Sequence, residues 1–157
     1  MPATGLKVFD ETLQKTHLWL NEIANDLGPD RQRAYDALRA VLHTLRDRLP
    51  VDNAAQLGAQ LPMLVRGIFF EGYHPAGKPD KIRSQDEFLD AIGKRLRNAP
   101  RVNVKTAAQA VFRAIEKFCD PHEAAQVRQA LPQGIQALWP ERPAELRTQA
   151  AATADRD

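Results

Sequence analysis

Gln60-Leu61-Pro62-Met63-Leu64-Val65-Arg66-Gly67-Ile68-Phe69 decides the fold, because its Leu-Pro step returns as Leu131-Pro132 with Ile135, Leu138 and Trp139 behind it. The same shift of 70 residues (61 to 131) lays Arg101 on Arg31, Ala107 on Ala37 and Ala110-Val111 on Ala40-Val41. It also lays Ala124-Ala125-Gln126 on Ala54-Ala55-Gln56 without a gap. Nearer the start the shift is 69 (20 to 89), and Leu20, Ile23 and Leu27 fall on Leu89, Ile92 and Leu96. One residue was gained or lost in the turn after the first helix of each half. Internal repetition fixes architecture ahead of any local signal. Nearly every shared position is apolar or a helix breaker, so the repeat encodes a fold; no nucleophile, metal set or phosphate loop recurs in it.

Working outward, Phe9, Leu13, Thr16, Leu20, Ile23 and Leu27 step by four and three, the stripe of an amphipathic helix that Gly28-Pro29 stops. Asp30 is placed to cap a second helix with the face Ala34, Leu38, Val41, Leu42, Leu45 and Leu49, ended by Pro50. Asp52 is read as the cap of a third helix carrying Ala54, Leu57 and Leu61. Proline removes a backbone donor, so Pro62 cuts that helix and starts a short fourth one burying Leu64, Val65, Ile68 and Phe69. In the second half Ser84-Gln85-Asp86-Glu87 has capping-box spacing before Phe88, Leu89, Ile92 and Leu96. Asn103 precedes Ala107, Ala108, Val111, Ile115 and Phe118, and Asp120-Pro121-His122-Glu123 reads as a cap, a first-turn proline and a first-turn acid.

The expected fold is therefore all-α, with no β-sheet: two pseudo-symmetric repeats, 9–70 and 84–140, of three to four helices each. They form one domain over 6–140, joined by the loop 71–83, since a half of about 70 residues is only marginally stable alone. The tail 141–157, with Pro143, alanines, charges and no caps, is expected to be disordered. Lys+Arg 22 against Asp+Glu 20 gives +2, too balanced to argue for a polyanion or a membrane surface. The lone Cys119 cannot close an intramolecular disulfide, and because Met1-Pro2-Ala3-Thr4-Gly5 has no positive n-region followed by an apolar stretch, no signal peptide is expected. A soluble, cytoplasmic protein is the expectation, and a homodimer stays open.

Several stretches together resemble one family. They are Phe9-Asp10-Glu11-Thr12-Leu13-Gln14-Lys15-Thr16, Ala34-Tyr35-Asp36-Ala37-Leu38-Arg39-Ala40-Val41-Leu42-His43 and Arg46-Asp47-Arg48-Leu49-Pro50. With them go Gln60 to Gly72, Leu131-Pro132 and Leu138-Trp139-Pro140. The chain looks like a member of the bacterial family called domain of unknown function 2267 over about residues 9 to 140. The resemblance implies a small helical protein, found alone or beside regulatory domains, and carries over no activity and no catalytic residues. His74 departs from the acidic or other polar residue that the resemblance leads one to expect there.

The loop Glu71-Gly72-Tyr73-His74-Pro75-Ala76-Gly77-Lys78-Pro79-Asp80-Lys81 is the part the repeat leaves unexplained. Tyr73, His74, Lys78 and Lys81 give it a stacking ring, a titratable ring and two cations, suited to an anion or an acidic peptide; the plain alternative is a rigid connector. A weaker anion-binding candidate is Lys94, Arg95, Arg97, Arg101 and Lys105, which lacks the aromatic interleaving of a nucleic-acid groove. Arg31-Gln32-Arg33 and Arg46-Asp47-Arg48 read as ordinary helix surface. His43 and Asp47 are four apart on one helix, but lie opposite the Leu38, Leu42, Leu45 stripe and so should face solvent, without the spacing of a metal site. His17 and His122 look like neither ligands nor bases.

Cys119 aligns with Leu49 and belongs to the core, and no nucleophile triad, Walker loop or dinucleotide fingerprint appears. The reading that results is a non-enzymatic interaction or accessory module, in stress responses among other settings, with no cofactor and no metal, that binds a protein or a small anionic ligand through the loop. The alternatives are a nucleic-acid or phosphate binder through 94–105, and an enzyme with a site in an interhelical cleft.

Overall fold

The computed structural model describes residues 4–97 and 102–140. Its eight helices are α1 (Lys7–Leu27), α2 (Arg31–Arg48), α3 (Val51–Gln60), α4 (Met63–Phe70), α5 (Gln85–Arg95), α6 (Val104–Phe118), α7 (Pro121–Gln129) and α8 (Gln133–Gln136). No strand occurs among the described residues, and no helix among them is long and apolar enough to cross a membrane. The fold class is all-α. The expectation for 141–157 lies outside the described residues.

Four of the caps form as their side chains dictate. Asp30 accepts from the Gln32 amide, Ser84 from Glu87, Asn103 from Thr106, and Asp120 from His122 and Glu123. The Ser84 hydroxyl also donates to Glu87 Oε1 at 3.0 Å. Asp52 is not a cap: Pro50 holds that place, and Asp52 sits in the first turn of α3, where a negative charge suits the helix dipole. Gly28 ends α1 at φ 97°, a conformation a side chain would strain, and its amide closes on Ala24 O at 2.8 Å.

Both Leu-Pro steps break the chain in one local geometry. Leu61 N–H bonds Gly58 O and Leu131 N–H bonds Arg128 O, ending α3 and α7. Pro62 (φ −56°, ψ 151°) and Pro132 (φ −57°, ψ 151°) then set the next helix, their carbonyls accepting from Arg66 and Gln136. Each proline lies just before its short helix rather than as its first residue.

All eight helices contribute to one buried apolar cluster. α1 and α5 each lie against both α2 and α6, α2 lies against α6, and α3 lies against α7. The stripe of α2 is wholly buried, and so are Phe88, Ile92, Val111, Phe112 and Ile135. Trp19, absent from the α1 stripe read by spacing, is 1 % exposed and lies 5.4 Å from Phe118, ring to ring. The other end of that stripe is not core, since Phe9 is 45 % exposed, and Leu64 on α4 is exposed as well. At this corner the Leu64 amide donates to Thr12 Oγ1 at 2.9 Å, a polar tie between α4 and α1.

Candidate functional site

Loop 71–83 leaves α4 and returns to the cap of α5, and its floor is the last turn of α2. Three consecutive α2 residues staple it there. Arg46 Nη1 donates to Phe69 O at 2.9 Å and to Glu71 O at 2.8 Å, satisfying carbonyls that the end of α4 leaves open. The Asp47 carbonyl accepts from the Asp80 amide at 2.7 Å, and Arg48 Nε donates to Ile82 O. One turn earlier His43 Nε2 donates to Ile68 O at 2.6 Å. A carbonyl only accepts, so Nε2 carries the proton.

These residues correct the surface reading of α2. His43 is 5 % exposed, Arg46 4 % and Asp47 6 %. The reason is that α2 is covered all round: α1 and α6 take its apolar stripe, while α4, α5 and the loop close over the polar side. A spacing rule built for a helix with one wet face fails for a central helix. The cost of burying these groups is met by pairing them. Arg46 Nε reaches Asp47 Oδ1 at 2.9 Å, and Asp47 Oδ2 takes Arg95 Nη2 at 2.8 Å while Arg95 Nη1 bonds Thr44 Oγ1 at 3.0 Å.

The two candidate regions thus meet at Asp47. Tyr73 packs beside it, with the Arg46 guanidinium 5.1 Å from its ring centroid and Phe70 6.1 Å away. The Tyr73 hydroxyl is buried and has no hydrogen-bond partner among the described residues. Burial, and then the Asp47 charge, push its pKa up against Arg46 and Lys78. Burial holds the His43 pKa below its ordinary value; the Ile68 bond opposes this, while Arg46, Arg39 and Arg95 add to it.

The remaining candidates divide between internal ties and open surface. Lys78, ahead of a cis peptide to Pro79, pairs with Asp80 at 3.1 Å. His74 and Lys81 are exposed. In the basic stretch Lys94 pairs with Asp90 at 3.2 Å, Arg95 serves Asp47, and Arg97 and Lys105 are exposed; Arg101 lies outside the described residues. Cys119 is 6 % exposed and its thiol is pushed up to about 12, chiefly by burial, so the core reading holds. Among the described residues no three His, Cys, Asp or Glu side chains gather as a metal set.

The arrangement can hold a loop in one conformation and present its outer residues; the buried charges face one another. Comparison with curated proteins gives no match. The family described as Uncharacterized conserved protein (DUF2267) matches residues 16–138, which takes in the staple on α2, the whole loop and α5. The chain belongs to that family.

Proposed function

We propose that this chain is a non-catalytic interaction module whose loop 71–83, with the helix ends beside it, is a preformed surface for a protein partner or a small anionic ligand. The observation that carries the reading is the three-point attachment of the loop to Arg46, Asp47 and Arg48. A segment already fixed loses little conformational freedom on binding, which is where a flexible loop loses affinity. What the attachment leaves outermost is chemically useful: the His74 ring and the Lys81 ammonium, beside a Tyr73 ring stacked on a guanidinium.

The test is native mass spectrometry of the tagged full chain recovered gently from its own host, beside the double variant His74→Ala, Lys81→Ala. Neither side chain makes a hydrogen bond or ion pair among the described residues, so the fold should survive. A defined extra mass on the wild type that the variant lacks is the expected result. An adduct or partner retained equally by both proteins overturns the reading.

A further inference from the structure

Three cations near the return of the loop are not used by the fold's ion pairs. Arg48, Lys81 and Arg83 make no salt bridge among the described residues, although Lys78, Arg46, Lys94 and Arg95 nearby all do. Their placement is fixed by backbone: Arg48 Nε is bonded to Ile82 O, the carbonyl between Lys81 and Arg83. Arg48 and Arg83 are therefore neighbours; burial, and then the Arg83 charge, hold the Arg48 guanidinium below its ordinary pKa against the opposing Asp80 charge. The acids at hand form no ion pair with these three cations among the described residues, although the Asp80 charge favours the Arg48 cation. Asp80 takes Lys78, Glu87 takes the Ser84 hydroxyl, and Asp86 sits in the first turn of α5 at the positive end of its dipole.

Resting on the reading of loop 71–83 as a recognition surface, we infer that Arg48, Lys81 and Arg83 are its subsite for an acidic peptide segment of a protein partner. Keeping like charges side by side costs free energy in the unbound protein, and a ligand bearing several carboxylates removes that cost. Guanidinium groups suit carboxylates because their donors form a fork, and Arg48 is already oriented through Nε, its outer nitrogens bonding nothing among the described residues. Lys81 and Arg83 are exposed and Arg48 is half-buried beside Arg83, so the cations are open to solvent rather than enclosed. An extended peptide can reach such groups, whereas a small oxyanion gains most in a concave, enclosed site.

The probe is a fluorescein-labelled peptide of alternating Glu and Ser, with its Gln-Ser counterpart as control, titrated against the full chain by fluorescence anisotropy. Binding of the Glu peptide alone, weakened by added salt, is expected. Arg83→Gln should weaken it about tenfold, the equivalent of one charge-assisted contact. Arg48→Gln with Arg83→Gln should abolish it, and Lys15→Gln, an exposed cation on α1 away from the loop, should leave it unchanged. Arg83 makes no hydrogen bond among the described residues, so its single variant decides the matter if loss of Arg48 disturbs the loop.

Equal binding of both peptides, no binding, or an unchanged Arg83→Gln variant overturns the inference. So does displacement of the peptide by equimolar inorganic phosphate, or tighter binding of a single-stranded oligonucleotide. A native partner kept by Arg83→Gln but lost with His74→Ala, Lys81→Ala overturns this subsite and leaves the loop reading standing; a partner indifferent to all of them overturns both.

Discussion

Asp47 holds Arg95 across the contact between α2 and α5, with Arg95 Nη2 2.8 Å from Asp47 Oδ2. The same carboxylate holds Arg46, whose side chain is 5 % exposed, and Arg46 in turn carries the end of α4 and the start of the loop. One carboxylate therefore ties three segments of the chain together. Asp47→Ala leaves two guanidinium groups facing each other without their acid and should cost about 3–5 kcal/mol. Arg95→Gln, at a side chain 30 % exposed, should cost about 1 kcal/mol or less. Urea unfolding measures both, and equal losses would mean that Asp47 does not organise the cluster.

The protonation of His43 should make stability depend on pH. Its folded pKa lies below the ordinary 6.5, so between those two values the unfolded chain binds the proton and the folded chain does not. Stability from this group is fully present above pH 6.5 and is lost as pH falls below it, at no more than about 1.4 kcal/mol per pH unit. His43→Gln should flatten that slope just below pH 6.5 in urea titrations. A variant as acid-sensitive as the wild type would place the titration elsewhere.

Glycine 58 should not accept a methyl group. An added Cβ would overlap Cε2 and Cζ of Phe70, a ring packed edge-on against Phe69 at 4.9 Å. Gly→Ala inside a helix ordinarily gains up to about 1 kcal/mol. Here the overlap reverses the sign, and Gly58→Ala should destabilise by about 1–3 kcal/mol. A raised Tm would show that Phe70 yields without cost.

Leu42 and Phe112 are both 0 % exposed, and Phe112 stacks on Trp139 with centroids 4.2 Å apart. Trp139 is fixed from its other edge, Nε1 donating to the buried Glu116 at 2.7 Å. Leu42→Ala should cost about 2–5 kcal/mol and Phe112→Ala about 3–5 kcal/mol. Calorimetry reads both as falls in Tm. Unchanged melting in either variant would remove that residue from the core.

Cys119 should be inert in the folded protein. With its thiol pushed up to about 12, the reactive thiolate is scarce at neutral pH, and the residue is buried besides. A thiol reagent should label it slowly in buffer and fast in concentrated urea. Fast labelling of the native protein would contradict the packing at the end of α6.

What the sequence determined by itself was local. Apolar spacing, the caps at Asp30, Ser84, Asn103 and Asp120, and the breaks at Pro62 and Pro132 act within a turn or two, so an all-helical chain with three to four helices in each half, and most of the core, could be read from residue order. That Tyr73 and Lys81 lie in the connecting loop was legible for the same reason. The tertiary structure decided which faces are wet. His43, Arg46 and Asp47 look like surface because their own helix offers them no partner; they are interior because α4, α5 and the loop close over that side of α2 and supply the carbonyls and the guanidinium they need. One signal for this was present, a dense mix of both charges on a helix whose opposite face is wholly apolar, but partners tens of residues away have no expression in spacing. For the same reason Arg48 and Arg83 become neighbours only when Ile82 docks on α2, a contact between segments 34 residues apart.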